Sequence, residues 1–364
     1  MNVGFYNYYE NCNKNRMFED PSAHTVGDNL TYPFVYLFKT AVDAGINIST
    51  IDTNPLESYD KIFFFDFPKE NNLYFKQLVE AGHDNLYLFI YESEIVMPRN
   101  WDKSNYKYFK KVFTWNYEMV DNKKIFQYYF PIKVLKTNDF DVDKKNKLCA
   151  MVASNKFNYH PLELYSARLE ALRWFERYHP EDFDLYGYGW DEQAYETLST
   201  HWSSEEGIKR RNARPKEDPY ISYRGSVDSK IETLKDYKFS ICYENARDIP
   251  GYLTEKIFDS FFAGCIPIYW GEPKIKDFIP PETFIDKREF DSYPELYDYI
   301  KNMSREEYMN RISAIEEFVL SDGIYPYGEE NFTRIIMNEI QSKELKQESS
   351  KSIINQLKKI FKRT

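Results

Sequence analysis

A carboxylate, an amide and a cation stand close together in the segment that spans residues 237–273. An apolar run over residues 237–243 predicts a buried strand, and the loop behind it carries Asn245. Glu255 and Lys256 follow in the first turn of a predicted helix. Because a helix N-terminus presents unpaired N–H groups and partial positive charge, this turn suits an anion, to which Lys256 adds a full charge. The segment therefore predicts a pyrophosphate site.

The elements around these residues form one predicted β-α-β unit. Thr254 occupies the N-cap position, and Gly264 ends the helix before a strand resumes over residues 266–270. Four apolar residues recur on one helical face: Ile257, Phe258, Phe261 and Phe262. A plainer interpretation also stands, in which Glu255 only complements the helix dipole and Lys256 is a solvated surface lysine.

A long motif covers this unit, with FSICYEN at residues 239–245 and GYLTEKIFDSFFAGCIPIYWG at residues 251–271. It closely resembles the donor-binding signature of the α-1,3-fucosyltransferase family, glycosyltransferase family 10. The resemblance implies an α/β protein of the GT-B type, with two Rossmann-like domains facing each other across a cleft. It also implies an inverting transferase that takes fucose from GDP-fucose. Four residues are implied to line the donor pocket: Asn245, Tyr252, Glu255 and Lys256.

Weaker patches extend the likeness upstream. Asn155 closes an S-N pair that resembles the family's S-N segment, and Arg168 resembles the arginine that follows it and contacts the donor phosphates in that family. On the sequence alone Arg168 could instead be a surface arginine on a predicted helix over residues 162–178. Two further patches, DLYG at residues 184–187 and YRG at residues 223–225, resemble shorter family motifs.

A second carboxylate follows the predicted strand over residues 86–90, at its C-terminal end, where open α/β sheets place their chemistry. The family has E-S-P here, and its glutamate is taken as the general base. This chain has E-S-E, with proline delayed to Pro98. Glu92 is the predicted base, Glu94 is its rival, and a plain solvated loop is the remaining alternative.

The proposed chemistry needs few groups. An acceptor hydroxyl must lose a proton as it attacks the anomeric carbon, so one carboxylate must lie within about 3 Å of it. Glu92 is assigned this role. Lys256 and Arg168 are expected to stabilise the charge on the departing pyrophosphate without a metal. Glu255 is expected to fix the sugar ring or the ribose.

Metal dependence is the competing mechanism. Two D-x-D patterns occur, at residues 139–141 and 182–184, but the first falls in a predicted linker and the second overlaps the DLYG strand. The five histidines show no metal-ligand spacing. No metal site and no required cofactor are predicted, since GDP-fucose is a substrate, although stimulation by Mn²⁺ or Mg²⁺ would be compatible.

Composition sets the frame. A chain of 364 residues with 42% hydrophobic residues can bury two cores. The predicted division is an acceptor-binding domain over residues 1–138, a GDP-sugar-binding domain over 148–332, and a basic amphipathic helix or tail over 333–364. A net charge of −10 argues against a nucleic-acid partner. The four cysteines lack C-x-x-C spacing and are expected to be reduced thiols.

The tail from residue 341 carries seven Lys or Arg against two Glu, with apolar residues on one helical face. This pattern predicts either a contact with an anionic membrane surface or a helix packed on the N-terminal domain. The start shows no cationic leader or sustained apolar core. We therefore expect a cytoplasmic protein of bacterial or viral type, which could bind peripherally to the inner face of a membrane.

The sequence thus predicts transfer of L-fucose to a hydroxyl of an oligosaccharide or glycoconjugate acceptor, in α-1,3 linkage to a GlcNAc- or Glc-containing glycan. Two alternatives stay open. One is a transferase of the same fold that uses another nucleotide sugar, since residues that grip a pyrophosphate do not specify base or sugar. The other is a catalytically silent glycan- or nucleotide-binding module, because E-S-E replaces E-S-P.

Overall fold

Two parallel sheets organise the chain in the computed structural model, which describes residues 1–19, 28–69, 71–137, 140–192, 194–196 and 218–342. In both, helices alternate with parallel strands, as the predicted α/β class requires. Within these ranges, no helix combines the length and the apolar character needed to cross a bilayer.

The first sheet has six strands in the order β2-β1-β3-β4-β5-β6. They are β1 (Asn2–Asn7), β2 (Asn47–Thr50), β3 (Lys61–Phe65), β4 (Leu86–Ile90), β5 (Lys111–Thr114) and β6 (Ile125–Gln127). Helices Tyr32–Asp43 and Leu73–Glu80 connect them. Every residue of β3 and β4 is buried. Because parallel strands are covered on both faces, these two read as nearly unbroken apolar runs rather than as alternating patterns.

The second sheet has five strands in the order β13-β12-β11-β7-β9, beside a short pair formed by β8 and β10. They are β7 (Lys147–Val152), β8 (Lys156–Phe157), β9 (Phe183–Tyr186), β10 (Tyr195–Glu196), β11 (Tyr237–Tyr243), β12 (Ile266–Trp270) and β13 (Ile285–Asp286). The α-helices are Tyr165–Tyr178, Lys230–Leu234, Glu255–Phe262, Tyr293–Lys301 and Arg305–Leu320. All four cysteines are buried and free.

The helix Glu329–Gln341, called here the return helix, follows the second sheet in sequence but packs on the first. Its apolar residues Phe332, Ile336 and Ile340 join the core of the first sheet. Lys61 at the start of β3 donates from Nζ to the carbonyls of residues 339, 340 and 342, at 2.6, 3.0 and 3.1 Å. A cation at the helix C-terminus complements the helix dipole. Residues 343–364, which carry the predicted basic tail, lie outside the described residues.

The carboxyl ends of the two sheets meet. The ring of Trp115, just after β5, lies 4.9 Å from that of Tyr252, and the hydroxyl of Tyr117 donates to Glu272 at 3.3 Å. Gly251 has φ +78°, and a Cβ there would lie 2.1 Å from the carbonyl oxygen of Trp115. Only glycine therefore lets the two loops approach this closely. Both loop sets consequently border one cleft.

Candidate active site

The helix Glu255–Phe262, called here the site helix, begins at the carboxyl end of β11. Thr254 is its N-cap, as predicted, but its hydroxyl makes no capping bond to the helix. It donates instead to Glu244, at 3.0 Å to Oε1 and 2.8 Å to Oε2, and its backbone N–H donates to Oε1 at 2.9 Å. With no side-chain cap, the helix N-terminus keeps its partial positive charge for a ligand.

Glu244 is fully buried and ties the strand to the helix. Lys256 donates from Nζ to Glu244 Oε2 at 3.1 Å and to Thr254 Oγ1 at 3.0 Å. Burial acts to lower the pKa of Lys256, but Glu244 and Glu255 outweigh it and raise that pKa. Lys256 is thus a fixed cation, not a solvated surface lysine. Glu244 stands beside Asn245 in the motif, but no local pattern marks its role as the partner of Lys256 and Thr254.

Glu255 is held between two lysines. Its Oε1 lies 3.5 Å from Nζ of Lys230 and 3.8 Å from Nζ of Lys256. Burial acts to raise the pKa of Glu255, but Lys256 and Lys230 outweigh burial and lower it, so the side chain is a carboxylate at neutral pH. Lys230 also pairs with Asp259 at 3.4 Å, one turn along the site helix. Lys230 was missed because it stands 25 positions upstream of Glu255, outside the motif.

Arg168, Asn245 and Tyr252 form a hydrogen-bonded chain. Arg168 Nη2 donates to the carbonyl oxygen of Tyr243 at 2.6 Å and to Asn245 Oδ1 at 3.1 Å. Asn245 Nδ2 donates to the hydroxyl of Tyr252 at 3.2 Å. Arg168 is only 5% exposed, which excludes its interpretation as a surface arginine. Tyr252 is equally buried and reaches Trp115 on the other side of the cleft, so it joins the two walls.

Glu92 lies across the cleft, just beyond β4. Its Oε1 accepts a hydrogen bond of 2.9 Å from the hydroxyl of Tyr9. Burial raises the pKa of Glu92, and the Tyr9 hydrogen bond, Lys156 and Lys256 oppose that rise. The charges of the site helix therefore reach this carboxylate. Glu94, by contrast, is about half exposed and lies 3.8 Å from Nε2 of His160. This geometry favours Glu92 over Glu94.

Asp66 fixes the backbone that carries Glu92. It is buried, and its Oδ1 accepts from the N–H of Tyr91 at 2.7 Å, the N–H of Glu92 at 3.0 Å and Nδ2 of Asn100 at 2.6 Å. Burial and the charge of Glu92 raise the pKa of Asp66 to about 7, against the effect of these three donors. In the sequence, Asp66 is a single aspartate after the apolar strand β3, and no local pattern marks it as the support of Glu92.

Lys156, the first residue of β8, is a further basic residue whose charge is coupled to the site. Burial lowers its pKa, the charge of Glu92 opposes this, and Arg168 and Lys256 add to the lowering. Lys156 therefore lies within electrostatic reach of the predicted base and of both predicted phosphate cations. Lys156 directly follows Asn155 of the S-N pair, and this adjacency is the one sequence signal that could have indicated its place near the site.

The D-x-D carboxylates have other partners. Asp139 lies outside the described residues. Asp182 accepts from the hydroxyl of Tyr297 at 2.7 Å and pairs with Lys301 at 2.5 Å. Asp184 pairs with Arg224 at 2.6 Å and with Lys147 at 3.1 Å. Asp182 also precedes β9, at the amino end of the sheet and so away from the site helix.

Arg168 and Lys256 place two cations beside the N-terminus of the site helix, and Lys156 is electrostatically coupled to both of them and to the carboxylate of Glu92. Such a group can bind a diphosphate and stabilise charge that develops on it as a leaving group. The carboxylate opposite can accept a proton. This is the arrangement that a group transfer from a nucleotide sugar requires.

Comparison with known proteins identifies the region that holds the cations. Residues 142–312 match the model of "Glycosyltransferase family 10 (fucosyltransferase) C-term". This region is similar to the C-terminal part of that family. An alpha-(1,3)-fucosyltransferase, FucT, of Helicobacter pylori is 34% identical over 113 residues, which are 30% of this chain and 23% of that protein. The first curated relatives are therefore matched over about a quarter of their own length or less.

Solved structures match over nearly the whole chain. A crystal structure of an alpha1,3-fucosyltransferase has a TM-score of 0.56 at 16% identity, covering 94% of this chain and 90% of that one. A crystal structure of an alpha1,3-fucosyltransferase with GDP-fucose has a TM-score of 0.51 at 17% identity, covering 95% of this chain and 91% of that one. This likeness shows the fold. The predicted GT-B architecture, with two Rossmann-like units across a cleft, is confirmed.

Proposed function

We propose that this protein transfers L-fucose from GDP-fucose to a hydroxyl of a glycan, with inversion at the anomeric carbon. The single observation that carries the proposal is the placement of Glu92 on one wall of the cleft, opposite Arg168 and Lys256 on the other, with Lys156 within electrostatic reach of all three. The motif at residues 239–271 and the match over residues 142–312 support GDP-fucose as the donor. The structure with GDP-fucose supports the same choice of donor.

On the donor wall, the pyrophosphate binds at the uncapped N-terminus of the site helix. Lys256 is held there by Glu244 at 3.1 Å, so its charge is in place before the donor arrives. Arg168 is held by Asn245 and Tyr243 in the same way. Preorganised cations stabilise the departing diphosphate without reorganisation during the reaction. Glu255, kept ionised by its two lysines, fixes a hydroxyl of the ribose or of the sugar ring.

On the opposite wall, Glu92 removes the proton of the attacking hydroxyl. A carboxylate buried beside a nucleotide site has a raised pKa, which makes it a stronger base than an exposed glutamate. One base on the face opposite the leaving group suffices for a single displacement, and this implies inversion. The proposed acceptor is a GlcNAc- or Glc-containing oligosaccharide or glycoconjugate, fucosylated in α-1,3 linkage.

We further propose that the reaction needs no metal, with Mn²⁺ or Mg²⁺ as mild stimulants at most. The protein is proposed to work in the cytoplasm, with the basic segment beyond residue 342 on an anionic membrane surface. The sequence pattern of that segment supports this, since cationic amphipathic helices bind anionic headgroups.

The test is release of GDP from GDP-fucose with N-acetyllactosamine, lacto-N-biose or N-acetylglucosamine as acceptor, beside calorimetry with GDP, UDP and dTDP. We expect GDP to bind more tightly than the other two nucleotides and acceptor to accelerate its release from GDP-fucose. Tighter binding of UDP or dTDP would favour a transferase with another donor. Binding of GDP without any turnover, with or without acceptor, would favour a silent binding module.

A further inference from the structure

Tyr9 lies just beyond β1, and its hydroxyl donates to Glu92 Oε1 at 2.9 Å. Strands β1 and β4 both border β3, so their carboxyl ends bring these two side chains together across 83 positions of sequence. No motif in the sequence links them. Among the described residues, Tyr9 is the side chain that donates a hydrogen bond to the Glu92 carboxylate.

The position of Tyr9 is fixed by its own turn. Its backbone N–H donates to Oδ1 of Asn7 at 2.9 Å, and its carbonyl oxygen accepts from the N–H of Cys12 at 3.0 Å. The ring of buried Tyr8 meets the ring of Tyr9 edge-on, with centroids 5.7 Å apart. Lys69 in turn covers Tyr8 at 5.2 Å. The phenol is therefore held at the carboxylate rather than swinging freely.

Although anchored in this way, Tyr9 keeps 48% of its surface exposed. An acceptor hydroxyl that gives its proton to Glu92 must come within about 3 Å of that carboxylate. Any acceptor in that position lies against the exposed tyrosine that touches the same carboxylate. An aromatic face of this kind packs against the C–H surface of a sugar, while its hydroxyl serves as a polar handle.

We propose that Tyr9 forms the acceptor subsite with Glu92: its hydroxyl holds one oxygen of the base, and its exposed ring receives the acceptor sugar. This inference rests on the proposed function. The hydrogen bond leaves Oε2 of Glu92 for the acceptor hydroxyl. As the proton moves to Glu92, the acceptor oxygen forms its bond to the anomeric carbon and the bond to GDP breaks.

The titratable groups coupled to Glu92 come from several elements: Tyr9 after β1, Asp66 after β3, Tyr128 after β6, Lys156 in β8, Tyr252 before the site helix, and Glu255 with Lys256 on that helix. The Tyr9 hydrogen bond acts to lower the pKa of Glu92. Removing the hydroxyl must therefore raise that pKa. Since the base acts only when deprotonated, the acid limb of the rate profile must then move to higher pH.

The experiment compares Tyr9→Phe, Tyr9→Ala and the wild type. Tyr178→Phe serves as the matched control, an exposed tyrosine at the end of the helix Tyr165–Tyr178. For Tyr9→Phe we expect the acid limb of GDP-fucose hydrolysis to rise by roughly 0.5–1 pH unit, since bonds to charged groups are the stronger ones. Hydrolysis needs no sugar acceptor, so this measurement does not depend on which glycan is used.

Transfer to the best acceptor among N-acetyllactosamine, lacto-N-biose and N-acetylglucosamine then tests the ring. Tyr9→Phe should lower kcat by about 10-fold and leave the KM for the acceptor nearly unchanged. Tyr9→Ala, which also removes the ring, should raise that KM roughly 2- to 10-fold above the value of Tyr9→Phe. Unchanged pH profiles in Tyr9→Phe, or equal acceptor KM in the two variants, would overturn the inference. Failure of the wild type to turn over GDP-fucose would instead overturn the proposed function.

Discussion

The two walls of the cleft hold their charges in opposite ways. On the donor wall two lysines are matched by carboxylates, Lys256 by Glu244 at 3.1 Å and Lys230 by Asp259 at 3.4 Å. Arg168 is held by the carbonyl oxygen of Tyr243 and by Asn245. On the other wall Glu92 is paired with a neutral phenol, and burial raises its pKa. The donor wall is thus built to keep its charges fixed, and the opposite wall to let one charge change. This division suits binding of a diphosphate beside transfer of a proton.

The largest expected effect comes from removing the proton acceptor. Glu92→Gln keeps the shape of the side chain, and general bases contribute typically about 10²–10⁴-fold. We expect kcat to fall by roughly 10²-fold or more while GDP affinity, measured by calorimetry, stays nearly unchanged. Glu94→Gln is the control and should retain activity. A greater loss in Glu94→Gln than in Glu92→Gln would transfer the role to Glu94.

The donor wall should show the reverse pattern. Lys256→Ala and Arg168→Ala each remove a preplaced cation, so both GDP affinity and turnover should fall, by about 10- to 10³-fold. Activity of the wild type should persist in EDTA. The metal-free proposal is lost if chelation abolishes turnover and Mn²⁺ or Mg²⁺ restores it.

The contrast between the walls also explains what sequence could and could not predict. The residues of the motif are contiguous, so Asn245, Glu255 and Lys256 were placed on one loop and one helix start from local pattern alone. Lys230 and Lys156 act on the same site from outside the motif. Tyr9 meets Glu92 only because β1 and β4 flank β3. Such pairings are set by topology, and no local pattern records them.

Element boundaries failed for a similar reason. The helix predicted over residues 162–178 begins at Tyr165 instead. The N–H of Leu164 donates to the carbonyl oxygen of Asn245 at 3.0 Å, and Glu163 forms a bridge with Ala246. These contacts with the loop after β11 hold residues 163 and 164 outside the helix.

A smaller effect should follow from Lys230→Met, which leaves Glu255 and Asp259 without their shared cation. Repulsion between two buried carboxylates should disturb Glu255, so we expect the KM for GDP-fucose to rise roughly 3- to 10-fold and the Tm to fall. Lys235→Met, at the C-cap of the same helix, is the control, since Lys235 pairs with exposed Glu232. Identical KM values for the two variants would remove Lys230 from the site.

The pH dependence of the wild type sharpens the view of the base. Because burial raises the pKa of Glu92 above the ordinary 4.5, kcat/KM should decline as pH falls through that raised value. The decline should vanish in Glu92→Gln. An acid limb at or below pH 4.5 would mean that the group titrating is a solvated carboxyl and not Glu92.

The smallest effect on soluble acceptors is expected from truncation after Ser342, which keeps the carbonyls that Lys61 binds. Binding to vesicles with anionic lipid should be lost, because basic residues near such a surface contribute about 1 kcal/mol each. Turnover of a soluble acceptor should change by less than about 2-fold. Loss of folding or of GDP binding would show that the segment supports the fold instead.

The stereochemistry of the product tests the central claim most directly, because it reports whether Glu92 acts as a base or as a nucleophile. GDP-fucose carries its sugar in the β configuration, and the glycosidic linkage formed from it can be assigned by the proton NMR coupling of the anomeric hydrogen. One displacement assisted by a base gives an α-linked fucoside. That is the result we predict. A β-linked product would mean retention, which a single attack from the face opposite GDP cannot give, and would contradict the division of roles between the two walls.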